Sequence, residues 1–84
     1  KMKYNLLNEN RIFDNKNKIS ETILLKNEAI SLNNFLSSKD YNGRPIAIKQ
    51  YNGSAIGITT IIYLIQPNGD QIPIADISDY NEWW

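Results

Sequence analysis

One stretch limits what this chain can fold into more than any other: DYNGRPIAIKQYNGSAIGITTIIYLIQPNGDQIPIADI, residues 40–77. Residues 54–65, SAIGITTIIYLI, are dense in β-branched side chains and read as a strand. RPIAIKQ before it and DQIPIADI after it alternate apolar and polar positions. Tyr51-Asn52-Gly53 and Pro67-Asn68-Gly69 separate the three runs, and each suits a short hairpin loop closed by a glycine in the left-handed conformation. With three-residue loops, Gln50 faces Ser54, Ile48 faces Ile56 and Ile46 faces Ile58. Leu64 then faces Ile72, and Ile62 faces Ile74. Every apolar partner is even-numbered, so the register gathers Ile46, Ile48, Ile56, Ile58, Ile62, Leu64, Ile72 and Ile74 on one face of a meander.

The odd-numbered face carries Ala47, Lys49, Ala55, Gly57, Thr59, Ile61, Tyr63 and Ile65. Its Ile61–Ile65 end is apolar and calls for a second cover, from the N-terminal segment, the C-terminal tail or another subunit. Pro73 has no amide proton to give a ladder, which argues for an edge position of the third strand. Upstream, NEAISLNNFLSSKD reads as a helix with Asn27 as N-cap and Glu28 near the positive helix start. Ala29, Leu32 and Leu36 form its apolar side, with Phe35 beside them. Tyr41-Asn42-Gly43 then turns the chain into the first strand. Residues 2–26 give weaker signals. ISETILL alternates in part and reads as a strand.

The expected fold is α+β and a single domain over residues 1–84. A three-stranded antiparallel meander (about 44–50, 54–65 and 71–77) carries one helix (about 27–38) on one face, with an N-terminal strand or hairpin added. Lys1 reads as a non-native residue ahead of a start at Met2.

The chain has no cysteine and no histidine, so disulfides, thiolate metal sites and the commonest general base are excluded. No Ser-x-x-Lys, phosphate-cradling glycine loop or paired-carboxylate signature occurs. The expectation is therefore no enzyme, no cofactor and no metal. The longest apolar run, Ile61–Ile65, is far below the roughly 20 residues of a membrane span. Together with an N-terminal segment lacking an apolar leader, it points to the cytoplasm of a bacterial host cell. Abundant Ile, Asn and Lys, all with codons rich in A and T, suggest an AT-rich source such as a low-GC bacterium or its phages.

All nine Lys and Arg residues fall within residues 1–49, while Asp70, Asp76, Asp79 and Glu82 follow. Net charge is zero, which argues against direct nucleic-acid binding, although Lys16, Lys18, Lys26, Lys39, Arg44 and Lys49 could make a basic face on which Tyr41 and Tyr51 suit base stacking. The closing run ADISDYNEWW interleaves acids with Tyr80, Trp83 and Trp84. Aromatic anchors ringed by charge are what a docking epitope uses. The sites expected to bind are Asp76, Asp79, Tyr80, Glu82, Trp83 and Trp84, with Tyr63, Ile61 and Ile65 on the adjoining sheet face. The leading expectation is a small inhibitor or adaptor of a phage or mobile element, docking on a host protein with a basic surface such as a nucleic-acid-handling defence complex. The run NGDQIP followed by ISDYNEW resembles the closing segment of small phage anti-Thoeris proteins, which sequester nucleotide signals. The resemblance covers less than a quarter of the chain. It implies an alternative: a homo-oligomer, formed through the sheet, that captures a small molecule using Tyr63, Trp83 and a basic residue such as Arg44. A structural subunit of a larger assembly is a third option.

Overall fold

The computed structural model describes residues 4–8, 12–53 and 57–79. In chain order these form β1 (Asn5–Leu6), a 3-10 turn (Asn15–Asn17), α1 (Lys26–Leu36), β2 (Ile46–Asn52), β3 (Ile58–Ile65) and β4 (Gln71–Asp76). The sheet is antiparallel throughout, in the order β1-β4-β3-β2. The fold is thus α+β, a meander extended by an N-terminal strand.

The second hairpin follows the sequence closely. Gln66 N–H donates to Asp70 O at 2.7 Å, Leu64 pairs with Ile72, and Gly69 takes φ 92°. That left-handed value strains any side chain with a Cβ. The first hairpin differs from the three-residue loop. Ile48 pairs with Ile62 rather than Ile56, a displacement of six residues, and Ile46 pairs with Leu64. The last pair is Asn52 with Ile58, closed by Gly53 N–H to Gly57 O at 2.6 Å. The left-handed glycine here is Gly57, at φ 92°, and not Gly53. Because six is even, the face of each side chain is preserved although its partner changes.

A second departure lies in β4. Tyr63 pairs with Pro73 but Ile62 pairs with Ala75, so Ile74 is the extra residue of a bulge. Beyond it, Ala75 and Ile77 take the helix-facing positions that uninterrupted alternation would have given to even-numbered residues. Ile74 still packs against the same cluster. The bulge also explains Pro73. β4 is not an edge strand, since β1 pairs with it at Ala75 and Asp76 and Leu7 N–H reaches Ile74 O. Proline is tolerated because it sits at the bulge, outside the β1 ladder.

The helix-side core is Tyr4, Phe35, Ile62, Ala75 and Ile77, flanked by Leu24, Leu32, Tyr41, Ile46 and Ile74. Tyr4 meets Phe35 edge-on, with centroids 5.4 Å apart. The cover is partial, and Ile58 at the hairpin end remains exposed. Ile56 lies outside the described residues. The helix is also rotated from its expected setting. Glu28, Ser31 and Phe35 are buried, while Ala29 and Leu36 face outward. The cause is a polar contact. Glu28 Oε1 accepts the Leu25 N–H at 2.9 Å, which makes Leu25 the N-cap and places Asn27 inside the helix. Glu28 Oε2 accepts the Thr60 hydroxyl at 2.7 Å. Thr60 Oγ1 in turn accepts from Gln50 Nε2, and Gln50 brackets Ile23 by bonding both its N–H and its carbonyl. The same bracket corrects ISETILL. Residues 19–25 form no strand and run as irregular chain beside β2, with Ile19 N–H bonded to Gln50 O.

Candidate functional site

Two features flank β3 on the face away from the helix: an aromatic cluster and the acidic exit of β4. Pairing sets both. Residues paired across antiparallel strands share a face, so Lys18, Tyr51 and Thr59 form one row. Lys49, Ile61, Asp76 and Asn5 form the next, and Ala47, Tyr63 and Pro73 a third.

Tyr51, Ile61 and Tyr63 are buried together, with Leu7, Phe13 and Ala47 packed on them. The second cover for β3 among the described residues is therefore the N-terminal segment. Phe13 stacks on Tyr51 at 5.2 Å and meets Tyr63 edge-on at 6.5 Å. The two phenols lean toward each other across the Lys49–Ile61 row, and their oxygens lie 2.6 Å apart. Lys49 Nζ stands 4.5 Å from the Tyr63 ring centroid, a favourable cation–π position.

Burial raises the Tyr63 phenol well above the ordinary tyrosine value, assisted by its hydrogen bond to Tyr51. A folded-state value above the unfolded one means that the folded protein holds this proton longer. The associated stability is complete below pH ~10 and declines as pH rises beyond that. Alkaline titration followed by tyrosinate absorbance should show Tyr63 ionising after exposed tyrosines, together with unfolding. A Tyr63 that titrates as an ordinary exposed phenol would contradict the closed cluster.

The acidic exit is anchored. Ile77 is fully buried and its N–H donates to Thr60 O at 3.0 Å. Ser78 Oγ accepts the Thr60 N–H at 2.8 Å, and Asp76 Oδ1 accepts the Ser78 N–H at 2.8 Å. Asp79 follows, half-buried, and its Oδ1 has no hydrogen-bond partner among the described residues. Asp70 belongs elsewhere, in the β3–β4 turn, where Asn68 bonds it. The six residues of β4 separate it from the exit by roughly 20 Å.

Of the residues expected to bind, Asp76, Ile61 and Tyr63 therefore share one face. Ile65 is half-buried farther along it, and Asp79 stands just past the strand. Tyr80, Glu82, Trp83 and Trp84 lie outside the described residues. Phe13 joins the face without having been singled out from the sequence, and Lys18, read there only as one of six residues of a basic face, stands beside Tyr51. In the sequence Phe13 is marked only by its apolar neighbour Ile12 amid polar residues. The rings read as stacking candidates are engaged. Tyr51 is buried under Phe13, and Tyr41 packs on Phe35 while its hydroxyl donates to Arg44 O. Arg44 itself donates to Gln66. No cluster of three or more acidic, His or Cys side chains suited to a metal occurs among the described residues. None of their helices is long and apolar enough to cross a membrane. Comparison with protein-family models, with curated proteins and with solved structures finds no match.

Proposed function

We propose that this chain is a non-catalytic binding module that docks its acidic C-terminal side on a partner protein with a basic surface. The observation that carries this reading is the anchored exit. Asp76 and Asp79 leave a strand end held by the Thr60 backbone through Ile77 and Ser78. Charge presented from a fixed base loses less conformational entropy on binding than charge on a loose segment. The sequence continues with Tyr80, Glu82, Trp83 and Trp84, the residue types of an interface anchor with an acidic rim. The partition of all basic residues into the first 49 positions supports the same polarity of docking. An inhibitor or adaptor of a phage or mobile element, acting on a nucleic-acid-handling complex in the host cytoplasm, is the setting that fits its size and its A+T-biased residue usage.

The test is parallel affinity capture from a low-GC bacterial host with the natural chain and with Asp79→Asn/Glu82→Gln, which removes charge but little apolar area. The natural chain should retain a protein that the variant retains at least about tenfold less well, and that salt releases from the natural chain. A partner held equally by both, at low and high salt, would overturn the docking reading. An oligomer that co-purifies with a small molecule would favour capture of a ligand instead.

A further inference from the structure

Lys18 and Lys49 stand together on the aromatic face. Lys18 pairs with Tyr51 across the outer edge of β2, and Lys49 lies two residues from Tyr51 on that strand. They are diagonal cross-strand neighbours, a relation that in a regular ladder sets residues about 7–8 Å apart with their Cβ atoms somewhat closer. Two four-carbon stems can close that span onto one tetrahedral anion. Lys49 is half-buried, with its ammonium held over the Tyr63 ring. Its pKa is lowered, first by burial and then by the charge of Lys18. No carboxylate of the described residues is among the causes of that shift. Among the described strand residues, the nearest acid on this face by register is Asp76, one strand beyond Ile61 and roughly 10 Å from Lys49. Asp14 caps the 3-10 turn by accepting the Lys16 N–H at 2.9 Å. Glu28 is committed to the opposite side of the sheet. Like charges set side by side are unfavourable, and this chain carries as many acids as bases with which to have avoided it.

We propose that Lys18 and Lys49 form a binding site for the phosphoryl group of a small ligand. Phosphate suits the pair better than carboxylate. A phosphoryl group carries about −1.5 to −2 charges near pH 7 and offers three acceptor oxygens, so one group answers both ammoniums. Lys is a point charge with three donors and needs no planar partner. The assignment stands apart from the docking reading, because it uses the opposite charge and different side chains.

The test is an amide NMR titration of the full chain at constant pH and ionic strength, with phosphate, adenosine monophosphate or acetate replacing chloride. Natural chain, Lys49→Met and Lys18→Met are compared, since Met preserves the apolar stem over the rings. Phosphate should produce saturable shifts centred on Lys18, Lys49 and Tyr51. Each Lys→Met variant should weaken it about tenfold, the equivalent of one charge-assisted hydrogen bond. Equal binding of adenosine monophosphate would place the recognition in the phosphoryl group alone. Tighter binding would show that the rest of a nucleotide also makes contact. Either result supports the site. Acetate as effective as phosphate, shifts matching those of chloride, or shifts unchanged in folded variants would overturn it.

Discussion

Replacing Phe35 with alanine is expected to bring this protein close to unfolding. Phe35 is fully buried and is the one aromatic that α1 sends into the sheet. Tyr4 meets it edge-on and Tyr41 packs obliquely at 5.8 Å. The substitution therefore opens a cavity between the helix and Ile62, Ala75 and Ile77 and removes two ring contacts. Truncation of a buried phenylalanine costs about 3–5 kcal/mol, which in a domain of this size lowers Tm by on the order of 20 °C. Urea unfolding followed by tryptophan fluorescence and circular dichroism would measure it. A loss below about 1 kcal/mol would mean that α1 is not the principal cover of this face.

The second large effect is expected at Glu28. Its two oxygens hold the Leu25 amide and the Thr60 hydroxyl. Glu28→Ala leaves both donors without their acceptor, next to the Gln50–Ile23 bracket. Stranding the buried Thr60 hydroxyl costs about 1–3 kcal/mol and losing the part-buried cap at the Leu25 amide about 1 kcal/mol more, so a total of about 3 kcal/mol is expected. Glu28→Gln keeps an acceptor oxygen and should cost about 1 kcal/mol. If alanine and glutamine were equally mild, the network would be incidental to stability. If they were equally severe, charge rather than hydrogen bonding would hold the helix start in place.

How far the sequence could be read follows from the same contacts. The second hairpin was legible because Pro67, Asn68 and Gly69 each suit one turn position and the flanking isoleucines agree with that register. The first was misread because Tyr51-Asn52-Gly53 looks like the same device. What displaces it is long-range. Pairing Gln50 with Thr60 brings both within reach of Glu28, and no local rule anticipates a contact between residues 28 and 60. That same contact turns the helix, which is why Phe35 and not Leu36 faces inward. The bulge at Ile74 was hidden by unbroken alternation in QIPIAD, although Pro73 signalled an irregularity. The parity of β2 and β3 survived the six-residue shift, whereas in β4 it reverses beyond the bulge. The faces of Ile61, Tyr63 and Lys49 were therefore correct before their partners were known. The placement of the site's residues was legible only for those that lie on a strand. Phe13 and Lys18 reach it from irregular chain whose path is set by Tyr51 and Gln50, contacts that carry no periodic signature.

The strand end from which the acidic side leaves does not fray. Ile77 and Ser78 are tied to both backbone groups of Thr60, one residue from the fully buried Ile61. Native-state hydrogen exchange at the amides of Thr60 and Ile77 tests this most directly. The prediction is that both exchange only through global opening, with the same free energy as the amide of Ile62. Exchange of Ile77 by local opening, orders of magnitude faster than Ile62, would contradict it and remove the fixed base from which the acidic side is presented.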